Sequence, residues 1–307
     1  MTGAGGNLPA SVAQRLLNKA RETGDDYQIL LTSYCFERFL YRLGVSAVCD
    51  RFVLKGAMLL RLWSDQPYRA TRDLDLLRRG DASHDAILAD FRAICATDVA
   101  PDGVDFDADG IRIEAVRVED EYAGIRVTLP ARMGTARLAL QIDLGVGDAV
   151  WPAPLTCTYP VLLAFPAPIM LAYPREAVIA EKLEALVVLG DRNSRIKDFF
   201  DLYHLASGFT FDRATLVEAV GRTFARRQTP IPTVAPIGLT AGYWDNPSRP
   251  AQVRAFARRV RLPVAADAGI EMVGLLSRFL LPVLDDQRVE ERSDGTWLPG
   301  GPWTLRR

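Results

Sequence analysis

Thr71-Arg72-Asp73-Leu74-Asp75-Leu76-Leu77 is the stretch whose reading decides the fold. Polar and apolar residues alternate and then give way to an apolar run, the pattern of a strand entering a core. Side chains at 73 and 75 of a strand point to one face, so two carboxylates stand side by side. Like charges that close resist joint ionisation unless cations neutralise them. Two Mg²⁺ ions about 3.5–4 Å apart are the usual solution where such a pair serves in-line phosphoryl transfer. A solvated strand end is the bland account of the same residues.

Upstream lies Phe52-Val53-Leu54-Lys55-Gly56-Ala57-Met58-Leu59-Leu60. It reads as a strand over 51–54 and a helix from Gly56 to Trp63. Gly56 permits close approach of a phosphate, and N–H groups at a helix start would receive it; an ordinary strand–helix turn has the same letters. A strand, Gly turn and helix followed by D-x-D on the next strand is the arrangement of a nucleotidyltransferase palm. A third acidic position is then required, and Leu138-Ala139-Leu140-Gln141-Ile142-Asp143-Leu144 supplies Asp143 at the end of an apolar run. A carboxylate there is costly if buried and unpaired, so it needs a metal or a basic neighbour. It could complete the metal site or accept a proton from an attacking hydroxyl. Gly145-Val146-Gly147 reads as a turn.

The chain has 307 residues, enough for one large or two moderate domains. With 49% hydrophobic and 24% charged residues it has the balance of a soluble globular protein. A net charge of −1 argues against a uniformly basic nucleic-acid binder, though not against a local patch. Of 37 basic residues only Lys19, Lys55, Lys182 and Lys197 are lysines. Where lysine persists against that bias, a compact ammonium can be required that a planar guanidinium cannot replace. The four cysteines form no C-x-x-C pair, and two histidines exclude a His-rich metal site. No P-loop or G-x-S-x-G elbow is present. The start has no signal-peptide pattern, and the apolar stretch 159–174 is too short and proline-rich to span a bilayer. A reduced, cytoplasmic protein without a membrane partner is expected.

The remaining pattern predicts helices over 9–22, 26–43 and 82–95 and strands over 111–118, 124–129 and 137–144. An irregular connection over 152–168 and a mainly helical second half follow. The expected class is α/β (α+β), a mixed sheet flanked by helices. A nucleotidyltransferase domain with N-terminal helices is expected over 1–206 and a helical C-terminal region over 207–307, with the last twenty residues loosely attached. Helix 175–189 carries Lys182, and helix 194–206 places Asp198 and Asp201 on one face at i, i+3. One account is a salt bridge from Lys182 to one of these aspartates. The other has Lys182 neutralising a triphosphate, with Asp198 orienting it. Arg254, Arg258 and Arg261 lie along one helical face, with Arg259 adjacent, and Arg222, Arg226 and Arg227 end an earlier helix. Such arginines can complement a helix dipole or form a track for RNA.

Taken together, these stretches resemble the AbiEii/AbiGii nucleotidyltransferase toxins, MenT-like toxins included, of the polymerase-β-like nucleotidyltransferase superfamily. The matching residues are Leu54-Lys55-Gly56, Arg69 to Leu76, Gln141 to Gly145 with Gly147-Asp148, and Tyr173-Pro174-Arg175-Glu176 through Ala185. They continue with Asn193-Ser194-Arg195 through Tyr203, Arg226-Arg227 through Pro232, and Gly238-Leu239-Thr240. The resemblance implies metal binding by Asp73 and Asp75, with Asp143 as the third position, and catalytic roles for these three, Lys182 and Asp198. It implies nucleotide binding by Lys55, Gly56, Thr71 and Lys182. The implied activity is Mg²⁺-dependent transfer of a nucleoside monophosphate from an NTP to RNA, with the tRNA 3′ end favoured and Arg254, Arg258 and Arg261 holding the RNA. The implied role is the toxin of a type IV toxin–antitoxin or phage-defence pair, with an antitoxin protein encoded nearby. The alternatives are a non-catalytic module binding RNA or a partner, and a transferase acting on a protein or small molecule. The chain departs from the superfamily at Ala57, where Gly or Ser is usual, and in the long spacing from Gly56 to Asp73.

Overall fold

The computed structural model describes residues 7–64, 69, 71–118, 122–262, 268–289 and 294–305. The chain divides into two compact units, Met1–Gly147 with Leu155–Ala172, and Asp148–Pro154 with Tyr173–Arg307. The boundary expected after residue 206 falls inside the second unit.

The first unit opens with helices α1 (Leu8–Thr23) and α2 (Tyr27–Val45). Asp26 caps α2, its Oδ1 accepting from the Ile29 N–H at 3.0 Å. Strand β1 (Phe52–Lys55) leads through a 3₁₀ turn, Gly56–Leu59, into the single-turn helix α3 (Leu60–Trp63). Strand β2 (Asp73–Arg78) and helix α4 (His84–Cys95) come next. Then follow β3 (Asp105–Phe106), β4 (Arg112–Val118), β5 (Tyr122–Met133), β6 (Ala136–Val146), β7 (Leu155–Thr158) and β8 (Ile169–Ala172). Among the described residues these strands form one mixed sheet in the order β3-β5-β6-β2-β1-β8-β7, with β4 also on β5. β2 pairs antiparallel with β1 and parallel with β6.

Alternation places the core. Leu74 and Leu76 of β2 and Leu140, Ile142 and Leu144 of β6 are fully buried, leaving Asp73, Asp75 and Asp143 on the opposite face. Each such leucine contributes about 1.5–3 kcal/mol by leaving water. Phe39 of α2 stacks on Phe91 of α4 with ring centroids 5.4 Å apart, and Phe52 of β1 meets the same ring edge-on at 6.0 Å.

The stretch expected to be irregular, 152–168, contains β7, and β8 follows it. β7 is the sheet edge and three of its four residues are exposed, so no buried face marked it as a strand.

The second unit contains α5 (Arg175–Leu189), α6 (Ile196–Gly208), the short strand β9 (Phe211–Asp212), and α7 (Arg213–Arg227). The one-turn α8 (Ala241–Trp244), α9 (Arg249–Val260) and α10 (Ala268–Asp286) follow. The chain then adds β10 (Gly295–Trp297) and β11 (Trp303–Leu305), which pair with each other and, through β10, with β9. The expectation of a loosely attached end is therefore corrected. Trp297 is fully buried and its Nε1 donates to the Ala206 carbonyl at 2.7 Å, while Trp303 stacks on Phe279 at 5.7 Å. Two tryptophans anchor a segment whose charges and Gly-Pro turns hid it. No helix among the described residues is long and apolar enough to cross a membrane.

Behind the sheet, Asp90 of α4 is 3% exposed between Arg51 at 2.5 Å and Arg78 at 2.7 Å. Removing one partner of a buried ion pair strands the other charge. Asp90→Ala is expected to lower unfolding free energy by about 3–5 kcal/mol in urea denaturation. Asp105→Ala, which breaks the exposed Arg132 pair, is expected to cost less than about 1 kcal/mol.

Candidate active site

In the first unit the candidate residues follow from strand register. β1, β2, β6, β5 and β4 place Lys55, Asp75, Asp143, Arg126 and Glu114 opposite one another in a single row. Residues paired across a sheet project to the same face. The row therefore reads, from β1 outward, ammonium, carboxylate, carboxylate, guanidinium, carboxylate. Asp73 stands two residues from Asp75 on the same face, opposite Gln141.

Gly56 is needed for a steric reason beyond any phosphate contact. Its φ is +70°, and a Cβ there would lie 1.9 Å from Asp75 Oδ2. The backbone turn at 56 thus walls the Asp75 carboxylate. The predicted helix from Gly56 is instead a four-residue 3₁₀ turn followed by one α turn. Ala57 sits inside that turn. The Thr71 hydroxyl accepts from the Asp73 N–H at 3.3 Å and donates to the Asp73 carbonyl at 3.2 Å. It fixes the first residue of β2.

Asp143 is held from the hairpin side. Arg126 Nε donates to Asp143 Oδ1 at 2.8 Å and Nη2 to Oδ2 at 2.9 Å, a bidentate fork. Gln141 Nε2 adds a contact to Oδ2 at 3.3 Å. The bond to Asp143 holds the Arg126 guanidinium above its ordinary pKa, with Asp73 and Glu114 adding to it. Thus the basic neighbour required at Asp143 is found. Arg126 itself escaped the sequence reading, although a signal existed. A two-residue hairpin at Gly134-Thr135 sets Met133 opposite Ala136, and counting back from it sets 126 opposite 143.

A divalent cation fits the paired face of Asp73 and Asp75, two half-exposed carboxylates with walls on one side. Asp143 fits less well, because both of its oxygens already accept from Arg126. Among the described residues, no three His, Cys, Asp or Glu side chains gather closely enough to hold a metal ion.

In the second unit Lys182 of α5 pairs with both aspartates of α6. Its Nζ donates to Asp198 Oδ1 and lies 2.7 Å from Asp201 Oδ2. The aspartate side chains are 10% and 4% exposed, so this is a half-buried three-charge cluster with one cation. A compact ammonium can sit between two carboxylates one helical turn apart. Two residues on from Lys182, Glu184 is fully buried and accepts from Arg227 Nη1 at 2.7 Å and from the Thr229 hydroxyl at 2.5 Å. Arg227 also faces Asp148 at 3.5 Å and Glu181 at 3.8 Å. Burial pulls its pKa down, but Glu181, Asp148 and Glu184 outweigh that and hold it well above the ordinary value.

That changes the basic group expected at the end of α7. Arg227 is occupied by carboxylates, and Arg222 pairs with Glu218 at 2.7 Å while covering the Trp151 ring at 4.1 Å. The other group stands differently. Arg254, Arg258 and Arg261 are exposed, while Val253, Phe256 and Ala257 of α9 are buried. Arg249, at the start of α9, is buried and donates to the carbonyls of Asp191 at 2.6 Å and Asn193 at 2.8 Å.

The family model described as nucleotidyl transferase AbiEii toxin, type IV TA system, matches residues 38–273. No curated protein matches the chain. Two crystal structures from Helicobacter pylori are similar at 14% identity and a TM-score of 0.46, one described as JHP933 and one as a candidate nucleotidyltransferase. The alignments cover 86% and 87% of this chain, and 96% and 100% of theirs. At that level the likeness carries no argument of its own. The family match covers about three quarters of the sequence and every residue of the two sites described above, and the chain belongs to the AbiEii family of nucleotidyltransferase toxins of type IV toxin–antitoxin systems.

Proposed function

We propose that the chain transfers a nucleoside monophosphate from an NTP to an RNA hydroxyl, with the tRNA 3′ end as acceptor and Mg²⁺ as the required ion. Family membership supports the reaction class. The observation that carries the residue assignment is the register row of Lys55, Asp75, Asp143 and Arg126, with Asp73 beside it.

In this reading Asp73 and Asp75 hold the divalent cation, which when bound neutralises the triphosphate. Gly56 keeps the Asp75 carboxylate in place, and Thr71 fixes the backbone of Asp73. Lys55 offers its ammonium group to phosphate oxygens, and within the second unit Asp198 orients Lys182. The acceptor hydroxyl oxygen attacks the α-phosphorus and gives up its proton to solvent, the bond to the bridging oxygen breaks, and pyrophosphate leaves. Positioning and charge neutralisation carry the catalysis, as in other phosphoryl transfers. The exposed arginines 254, 258 and 261 supply contacts to the RNA backbone. A separate antitoxin encoded nearby restrains the activity, and a phage-defence role fits the same chemistry.

The test is incubation with each α-³²P-labelled NTP, Mg²⁺ and total tRNA. Label is expected in tRNA with the intact protein, and Asp75→Asn should lower the rate about a hundredfold or more. Gly56→Ala should do likewise while the protein stays folded by circular dichroism, because the new methyl displaces the Asp75 carboxylate. Label entering protein instead would move the acceptor, and no transfer with any NTP would end the reading. A second measurement addresses the arginines. Replacing Arg254, Arg258 and Arg261 together by Gln should flatten the slope of log affinity for tRNA against log salt by about 2. An unchanged slope would remove them from the RNA contact.

A further inference from the structure

The pairing of Asp143 is not what a three-carboxylate metal centre needs. Both oxygens accept from one guanidinium, at 2.8 and 2.9 Å, and the Asp143 side chain is only 13% exposed against 37% for Arg126. The carboxylate is thus the buried anchor and the guanidinium the more open partner. Nε and Nη2 make the fork, and Nη1 makes no bond to that carboxylate. Register keeps Arg126 on the face that carries Asp73, Asp75 and Lys55.

We propose that Arg126, anchored by Asp143, stands beside Lys55 as a further cationic group of this site and binds a phosphate oxygen of the nucleotide, leaving a single divalent cation to Asp73 and Asp75. This departs from the expectation of two ions with Asp143 as a ligand, and it rests on the nucleotidyltransferase reading above. A fork fixed by a carboxylate is a pre-organised anion contact, since the side chain's rotamer freedom is already lost before the phosphate arrives.

Two binding measurements test it. Mn²⁺ alone is followed by loss of the free-ion EPR signal, and each NTP is followed by equilibrium dialysis with Ca²⁺ to prevent turnover. The intact chain is expected to bind a single Mn²⁺. Asp75→Asn should weaken that binding about tenfold or more, and Asp143→Asn by less than about threefold. Arg126→Ala should leave Mn²⁺ binding unchanged and weaken the favoured NTP about tenfold, the loss of a charge-assisted contact. Because Asp143→Asn leaves Arg126 without its anchor, the double variant Arg126→Met with Asp143→Leu guards against misfolding; it should keep Mn²⁺ and lose NTP like Arg126→Ala. Two Mn²⁺ per chain, or Asp143→Asn losing Mn²⁺ as fully as Asp75→Asn, would overturn the proposal. So would NTP binding that is indifferent to Arg126→Ala. An intact chain that binds neither Mn²⁺ nor any NTP would overturn the underlying nucleotidyltransferase reading instead.

Discussion

Asp75 and Asp143 stand opposite each other on adjacent parallel strands, and like charges in that position push a sheet apart. The structure answers with a cation on each flank, Lys55 opposite Asp75 and Arg126 forked onto Asp143. The rest of the first unit supports that row. The leucines and isoleucine of the opposite face bury β2 and β6 and lock their register, and a slip of one residue would turn the carboxylates into the core. Gly56 then closes the side of Asp75 with backbone alone. Stability and chemistry here use the same strands on opposite faces.

The second unit handles charge by a different device. Lys182 serves two aspartates on α6, and two residues along the same helix Glu184 is buried with Arg227 and Thr229 as its partners. A buried carboxylate with two partners ties α5 to the end of α7. It also fixes the helix that presents Lys182. Of the two accounts of Lys182, the salt bridge is present, and it reaches both aspartates rather than one.

Much of this was legible in the sequence for local reasons. D-x-D announces its own face, Gly56 marks a special turn, and the i, i+3 spacing of Asp198 and Asp201 places both on one side of a helix. Asp143 was legible as a carboxylate needing a partner. Its partner was not, because Arg126 is brought to it by a hairpin whose ends run past the apolar alternation that defined the strands. Arg227 looked like surface charge because its carboxylate partners are distant in sequence. The terminal strands were hidden for the opposite reason, since a few tryptophans anchor a segment otherwise composed for solvent.

The central claim is the division of labour in the row, with a cation at Asp73 and Asp75 and a guanidinium at Asp143. Anomalous difference maps from crystals grown with Mn²⁺ test it most directly. The account requires a peak bounded by the carboxylates of Asp73 and Asp75, with Arg126 still forked onto Asp143. A peak ligated by Asp143, with Arg126 swung away, would contradict it.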